Sequence, residues 1–281
     1  MTPSTHEISV RNLYKIFGHY PKKAMKQLSA GDGKEEIFNK CGQTVALADV
    51  SFDVNKGETL VIMGLSGCGK STLVRCINRL IEPTAGQILV EGTEILSLSN
   101  PEILKLRRHK FSMVFQKFAL LPHRTVCGNV EYGLEIQGME AKERKKKALE
   151  TLELVGLSDW AGSGPAQLSG GMQQRVGLAR ALAVDPSILL MDEPFSALDP
   201  LNRKEMQEEL CALQRRMHKT IVFISHDLDE ALAIGDRIII MKDGRIIQQG
   251  TPEQILSNPA NNYVERFVEN GDISKTKGGT P

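Results

Sequence analysis

The stretch TLVIMGLSGCGKST, residues 59–72, decides the fold of this chain. Its first five residues, Thr59–Met63, form a short continuous apolar run, which predicts a buried strand. The following GLSGCGKS matches the phosphate-loop pattern of a glycine, four residues, a second glycine, lysine and serine. That pattern is informative only after a strand and before a helix, and this is the context predicted here. We therefore expect an α/β protein that binds nucleotide phosphates.

The chemistry of the loop indicates a nucleoside triphosphate and a metal ion. Glycines let successive backbone amides converge on phosphate oxygens, and the following helix adds the positive end of its dipole. Lys70 would bridge the β- and γ-phosphates, and the Ser71 hydroxyl would bind Mg²⁺. The glycines do not fit the dinucleotide pattern GxGxxG. The candidate nucleotide-binding residues of the loop are Gly64, Leu65, Ser66, Gly67, Cys68, Gly69, Lys70, Ser71 and Thr72.

Four polar residues follow predicted core strands at their carboxyl ends, where open α/β sheets bind ligands. Asp192 is the candidate metal ligand, and Glu193 stands where an attacking water would need a general base. Gln116 would face metal and water, and His226 would face the γ-phosphate. An acidic pair at a strand end can also be only a helix cap, and Gln116 or His226 alone could be an ordinary loop residue. The predicted catalytic residues are Glu193, His226 and Gln116, and the predicted metal ligands are Ser71, Gln116 and Asp192.

Composition excludes several other classes of protein. Thirty-five basic and 34 acidic residues leave a formal charge of +1, which gives no support for nucleic-acid binding. No apolar run approaches a membrane span and the N-terminus lacks a signal-peptide pattern, so we expect a cytosolic chain. Five scattered cysteines without a CxxC pair indicate reduced thiols rather than disulfides or a zinc site. Cys68 differs from the others because it lies in the phosphate loop.

The pattern along the chain predicts one large domain with additions. An opening strand-like segment is followed by a polar insert, residues 19–44, that is predicted to hold two short helices broken at Gly31–Gly33. The pattern is almost wholly helical from Thr125 to Asp185, which predicts an inserted helical subdomain over about residues 117–185. Residues 269–281 are polar and predicted to be a disordered tail. The basic run Lys142–Lys147 is interpreted as a solvated helix face.

The segment LSGGMQQR, Leu168–Arg175, resembles the signature of ABC-transporter ATPase subunits, and the resemblance extends from about Ile8 to Val268. It implies an α/β P-loop NTPase fold, the ABC cassette, over residues 1–268, with a mixed core sheet, an N-terminal antiparallel β-subdomain and an inserted helical subdomain. It also implies ATP and Mg²⁺ as cofactors and a homodimer of ATPase subunits. In such a dimer Ser169, Gly170 and Gly171 would contact ATP held by the other copy, and Asp199 of SALD would couple the two sites.

Within that family the sequence is similar to ATP-binding subunits of glycine betaine, proline and related quaternary-amine importers. The segments IMGLSGCGKSTLVRCINRLIEPTAGQI, MVFQKFALLPH and TIVFISHDLDEALAIGDRIIIM carry this likeness, as does the insert. The likeness implies two transmembrane permease subunits, a substrate-binding protein, no nucleic acid, and a place at the cytoplasmic face of the membrane. Phe17 matches the position of an adenine-stacking aromatic residue, with Tyr14 as a second candidate. An apolar run after Gln116, formed by Lys117, Phe118, Leu120 and Leu121, is interpreted either as permease contact or as buried structure.

Two departures from the importer pattern leave alternatives open. No tandem CBS module follows the cassette, although osmotically controlled members often carry one, and Pro194 stands where betaine relatives often have alanine. An importer for histidine or another polar amino acid is therefore the alternative within transport. A soluble ABC ATPase that moves nucleic acid is less favoured, because too few residues separate Lys70 from Ser169 for a long coiled coil.

Overall fold

The computed structural model describes residues 6–116 and 118–276, with side chains described as far as residue 269. The described residues form two compact units. Unit 1 contains the described residues up to Ser99 and those from Ile224 onward, and unit 2 contains those from Asn100 to Phe223. Among the described residues, no helix combines the length and the apolar composition that crossing a bilayer would need.

The described chain alternates strands and helices over most of its length. The strands are β1 (His6–Phe17), β2 (Thr44–Asn55), β3 (Thr59–Met63), β4 (Ala85–Val90), β5 (Thr93–Glu94), β6 (Phe111–Val114), β7 (Ile188–Asp192), β8 (Thr220–Ile224), β9 (Arg237–Lys242) and β10 (Arg245–Gly250). The α-helices are α1 (Pro21–Ser29), α2 (Lys34–Cys41), α3 (Lys70–Ile77), α4 (Asn100–Lys110), α5 (Val126–Ile136), α6 (Ala141–Leu154), α7 (Gly170–Ala183), α8 (Pro200–Met217), α9 (Leu228–Ile234), α10 (Pro252–Ser257) and α11 (Asn262–Thr276).

Unit 1 contains an antiparallel sheet with the strand order β2-β1-β4-β5. Strands β1 and β2 pair along most of their length, from Ser9 opposite Asp53 to Phe17 opposite Thr44. Apolar side chains alternate along β2 on both sides of a break at Asp49, where the backbone φ is 59°, so that Leu47 and Val50 are both fully buried. This sheet confirms the predicted N-terminal antiparallel β-subdomain.

Unit 1 also contains part of a mixed sheet that carries the phosphate loop. Strand β3 pairs with β9 in parallel, and β9 pairs with β10 in antiparallel orientation. All five residues of β3 are buried, as its continuous apolar run predicts. In unit 2, β6 and β7 are parallel neighbours with Val114 opposite Met191. The mixed α/β core agrees with the predicted fold class.

The insert predicted over residues 19–44 contains helices α1 and α2, separated by the segment Ala30–Gly33. Both helices pack against the first two strands through a cluster of buried side chains. The cluster consists of Ile16, Ala24, Ile37, Val45 and Ala48, with Tyr14, Met25, Leu28 and Cys41 packed against it. The insert therefore adds a small core of its own beside the antiparallel sheet.

Helices α5, α6 and α7 pack together in unit 2 around a second apolar cluster. Val130, Leu152 and Val176 are fully buried at its centre, one from each helix. The helical subdomain predicted over about 117–185 lies inside unit 2, whose own limits are wider. Helix α11 continues to Thr276 within the predicted tail, and residues 277–281 lie outside the described part of the chain.

Candidate nucleotide-binding and catalytic residues

The phosphate loop leaves β3 through Gly64, whose backbone no other residue could adopt without displacing its neighbours. Its φ is 148°, and an added Cβ would lie 2.3 Å from the carbonyl oxygen of Met241. Gly69 closes the loop with a φ of 109°, and its added Cβ would lie 2.5 Å from the Ala46 carbonyl oxygen. Both positions therefore need glycine, because a side chain would meet rigid backbone.

Lys70 folds back over the loop that precedes it. Its ammonium group donates to the Gly64 carbonyl at 2.7 Å and to the Leu65 carbonyl at 3.4 Å, and the side chain is buried. Helix α3 has Gly69 as its N-cap and no side-chain cap hydrogen bond. A cationic side chain and an uncapped helix start are thus combined in one turn, which suits a phosphate chain.

Cys68 lies inside the loop and is only 6% exposed. Burial raises the pKa of its thiol, although the nearby Lys70 ammonium acts in the opposite direction. The Cys68 carbonyl accepts a hydrogen bond of 2.9 Å from the Gly244 amide in the turn between β9 and β10. The turn between β9 and β10 therefore helps to hold the phosphate loop in place.

His226 follows the strand end of β8, as expected. The Ser225 amide donates to the Ile62 carbonyl of β3 at 3.2 Å, which places His226 beside the strand that leads into the phosphate loop. The buried Ser225 hydroxyl donates to the Glu230 carboxylate and accepts from the Asp227 amide at 2.9 Å. Sequence reasoning missed Ser225 and Glu230, because a short polar network of this kind has no spacing of its own.

Gln116 and Glu193 are brought together in unit 2. The register that sets Val114 opposite Met191 also sets these two residues opposite each other, just beyond the strand ends. The Gln116 amide nitrogen donates to a Glu193 carboxylate oxygen at 3.2 Å. Glu193 has a φ of 47°, and the Ser196 hydroxyl donates to its carbonyl at 2.9 Å. A non-glycine residue in that conformation is held in place by its surroundings, as reactive residues often are.

Asp192 is the last residue of β7 and is 4% exposed. A buried carboxylate oxygen at a strand end is the kind of ligand that Mg²⁺ prefers. Gln116 lies in the same unit, whereas Ser71 lies in unit 1. The shared metal site of Ser71, Gln116 and Asp192 stays a prediction.

The signature segment forms the start of α7. The Ser169 hydroxyl caps the helix by accepting from the Met172 amide at 3.3 Å. An added Cβ at Gly170 would be 3.8 Å from the Phe118 ring, which is an ordinary contact, and one at Gly171 would be 3.2 Å from the Asn202 side chain. The chain itself therefore has room for a methyl group at Gly170.

Asp199 begins α8 next to the signature segment. Its carboxylate accepts from the Asn202 amide at 3.2 Å and from the Asn202 side chain at 2.5 Å. These hydrogen bonds, the one from the side chain above all, lower the pKa of Asp199. Asn202 thus hydrogen-bonds Asp199 and also lies beside Gly171. The sequence motifs did not reveal this link.

The two candidate aromatic residues differ in their surroundings. Phe17 is 41% exposed, and the Lys15 ammonium lies 4.8 Å from the centre of its ring. Tyr14 packs against the cluster under the insert, and burial, followed by the charge of Asp49, raises the pKa of its hydroxyl. Phe17 is consequently the better placed of the two to offer an open ring face.

The large apolar residues of the loop that follows Gln116 are partly buried. Leu120 packs against the cluster of α5, α6 and α7, and the Leu121 amide donates to the Asn129 side chain at 2.7 Å. The Arg180 guanidinium binds the Phe118 and Ala119 carbonyls. A structural role fits Leu120, which is partly buried, and the permease contact stays a prediction; Lys117 lies outside the described residues.

Comparison with known proteins identifies the family. Residues 47–196 match the family model described as ABC transporter. The chain is 61% identical to the glycine betaine transport ATP-binding protein OpuAA of Bacillus subtilis, over 96% of this chain and 64% of that protein. It is 56% identical to the glycine betaine/proline betaine transport system ATP-binding protein ProV of Escherichia coli, over 96% of this chain and 67% of that protein. The chain thus spans about two thirds of the length of these relatives.

Solved structures support the same assignment. The dimeric structure of the ATP-binding cassette MJ0796 in a post-hydrolysis state, bound to ADP and phosphate, aligns with a TM-score of 0.73. Sequence identity is 35%, and the alignment covers 87% of this chain and 98% of the other. Fold, motifs and sequence identity agree: the chain is an ATP-binding cassette and belongs to the ABC transporter family.

Proposed function

We propose that this chain hydrolyses ATP to energise an importer of a quaternary amine or betaine-type solute, such as glycine betaine, proline, choline or trimethylamine N-oxide. The observation that carries the ATPase is the Gln116–Glu193 contact at the strand ends, in a chain that also has a complete phosphate loop. The solute class rests on the relatives described above. A histidine or polar amino-acid importer is the alternative, since this subunit need not touch the solute.

In the proposed reaction, the phosphate loop binds the triphosphate through its amides and Lys70. Ser71, Gln116 and Asp192 would hold Mg²⁺, which supplies charge neutralisation at the phosphates. Their hydroxyl, amide and carboxylate oxygens form a donor set that suits a hard cation. Phe17 would stack on adenine.

Glu193 is the proposed general base. Its carboxylate is half-buried and hydrogen-bonded by the Gln116 amide, which orients it while leaving it able to accept a proton from water. His226, held by the Ser225 turn, would contact the γ-phosphate. These roles divide orientation, proton transfer and phosphate contact among three residues from three strand ends.

A homodimer is part of the proposal. The Ser169, Gly170 and Gly171 segment starts a helix whose dipole and amides could bind a phosphate supplied by a second copy. Asp199 would lie between the two sites, since Asn202 links it to the start of α7. Closure of the dimer on ATP and its reopening after hydrolysis would then drive the transport cycle.

A groove in unit 2 is the proposed docking site for the permease. It has a volume of about 360 Å³ and is lined by apolar side chains, including Leu104, Tyr132 and Ile136, and by three arginines, Arg107, Arg108 and Arg180. The three apolar residues are among the exposed large hydrophobic side chains of the protein. Docking there would place the chain at the cytoplasmic face of the membrane.

The ATPase is tested by Glu193→Gln. Loss of the base should lower kcat by about 10²- to 10⁴-fold while ATP still binds. The side chain keeps an oxygen that can accept from Gln116, so the fold should be unaffected. Glu153→Gln, on the exposed face of α6, is the matched control and should retain full activity. Near-normal turnover of Glu193→Gln would remove Glu193 as the base.

The solute class needs a separate experiment. The substrate-binding protein of the same transport system should be titrated calorimetrically with glycine betaine, proline, choline, trimethylamine N-oxide and histidine. We expect a quaternary amine or a close analogue to bind in the micromolar range or tighter. Binding of histidine alone would select the alternative.

A further inference from the structure

A buried glutamine lies where the insert returns to the antiparallel sheet. The chain leaves β1 after Phe17 and re-enters β2 at Thr44, and these two residues are opposite each other in the sheet. Gln43, directly before Thr44, is only 4% exposed. A buried carboxamide needs partners for both its oxygen and its nitrogen, because leaving either unpaired is costly. The partners of Gln43 therefore show what this side chain holds together.

The Gln43 carboxamide joins the start of the first insert helix to the end of the second. Its Oε1 accepts from the Tyr20 backbone amide at 2.9 Å, and its Nε2 donates to the Cys41 carbonyl at 2.8 Å. Tyr20 is the N-cap of α1, which has no side-chain cap hydrogen bond, and Cys41 is the last residue of α2. A helix start offers N–H groups and a helix end offers carbonyls, so one carboxamide can bind both. Gln43 thus closes the insert at its base.

The same carboxamide packs against the residue that follows Phe17. Gly18 has a φ of 127°, and an added Cβ there would overlap the Gln43 carboxamide. The Phe17 ring itself has the Lys15 ammonium 4.8 Å from its centre, and that ammonium also donates to the Glu82 carbonyl at 2.7 Å. Phe17 is therefore held through its ring by Lys15 and through the following backbone by Gln43.

We propose that Gln43 is a positioning residue for the adenine-stacking ring of Phe17. This inference rests on the proposed stacking of Phe17 on adenine. Phe17 is the last residue of its strand, and a strand end followed by a long connection is prone to local opening. By holding the Tyr20 amide and filling the space beside Gly18, Gln43 keeps that strand end closed. The insert thereby contributes to adenine binding, although Gln43 does not touch the nucleotide.

The test compares MgATP with magnesium tripolyphosphate, which carries the phosphates without the adenine. Gln43→Met in the full chain removes both hydrogen bonds and keeps a side chain of similar length. It should raise the Kd for MgATP about three- to tenfold. The Kd for tripolyphosphate should keep its wild-type value, and kcat at saturating ATP should change less than about twofold, because Gln43 does not touch the reacting atoms. Gln27→Met, at a half-buried glutamine of α1, is the control and should change none of these.

A double variant separates positioning from a merely structural role. If Gln43 acts through the Phe17 ring, adding Gln43→Met to Phe17→Ala should weaken MgATP binding no further than Phe17→Ala does alone. Urea unfolding checks that each variant is folded. If Gln43→Met does not fold, Gln43→Glu takes its place, since it keeps the acceptor for the Tyr20 amide and loses only the donor to the Cys41 carbonyl. It should show the same selective loss of MgATP affinity.

Three results would overturn the inference: an unchanged Kd for MgATP in the Gln43 variant, an equal loss of affinity for the two ligands, or an additive loss in the double variant. Wild-type MgATP affinity in Phe17→Ala would remove the stacking, and the role of Gln43 with it, while the proposed ATPase would stand. If the wild-type chain bound neither ligand, the proposed function itself would fail.

Discussion

Helices α3 and α7 both begin in a glycine-rich turn, α3 in unit 1 and α7 in unit 2, but their first turns differ in what surrounds them. The start of α3 is enclosed by its own unit: Gly64 and Gly69 touch backbone carbonyls, and Lys70 is folded onto the loop. The start of α7 is exposed at Ser169 and Gly170. Its cap is a serine hydroxyl, and nothing in unit 2 crowds Gly170.

The requirement for glycine has a different origin at each of the two helix starts. At Gly64 and Gly69 of the phosphate loop the need is internal, because positive φ values and close backbone carbonyls exclude a side chain from the folded chain. In α7 the backbone at Gly170 is helical and has room for a methyl group. If glycine is required there, the reason must lie in a ligand or in a second copy. Substitutions can therefore separate a folding requirement from an assembly requirement.

The largest expected effect is that of Gly64→Ala. Backbone strain together with overlap on the Met241 carbonyl should destabilise the protein by about 2–5 kcal/mol and abolish ATP binding. Gly67→Ala is the matched control, because its φ of 77° is also positive but its added Cβ meets nothing within 4 Å. That variant should lose only about 1 kcal/mol. Urea unfolding measures both, and equal losses would show that the crowding at Gly64 is relieved by movement.

Gly170→Ala, in contrast, should preserve the stability of the protein and lower its ATPase activity. Alanine favours helix over glycine and the methyl group fits, so the urea midpoint should be unchanged or slightly higher. If the amides of this turn bind phosphate held by a second copy, hydrolysis should nevertheless fall about tenfold or more. Gly162→Ala, in an open loop of the same unit, should keep full activity. Full activity of Gly170→Ala would mean that the start of α7 is not closed by a partner and that assembly does not require glycine at this position.

The sequence predicted best those features that depend on residues close together in the chain. The phosphate loop and the strand-end residues Gln116 and Glu193 were predictable, because apolar runs mark strands and glycine patterns mark turns. These features depend on residues that are close neighbours in the chain.

Contacts between distant segments were not predictable in the same way. The Gly244 amide binds the Cys68 carbonyl of the phosphate loop from a turn much later in the chain, and the Ser225–Glu230 pair has no motif that separates it from a helix cap. An apolar run alone could not predict whether the Leu120 side chain packs against the protein or faces a partner, since such a run fits a buried loop and a docking surface equally well. Each of these depends on which surfaces meet after folding.

The smallest expected effect concerns Cys68 and tests how closed the phosphate loop is. The thiolate is the reactive form, and burial raises the pKa of this thiol, so less of it is ionised at neutral pH than in an ordinary cysteine. Alkylation by iodoacetamide at pH 7.5 should be about tenfold slower at Cys68 than at Cys41, which is partly exposed in the insert. The rate at Cys68 should still rise between pH 8.5 and 9.5, whereas an ordinary thiol approaches its plateau there. Labelling followed by mass spectrometry gives both rates, and alkylated protein should no longer bind ATP. Fast labelling with a plateau below pH 8.5 would mean that the loop opens without nucleotide, and the enclosed start of α3 would then resemble the open start of α7.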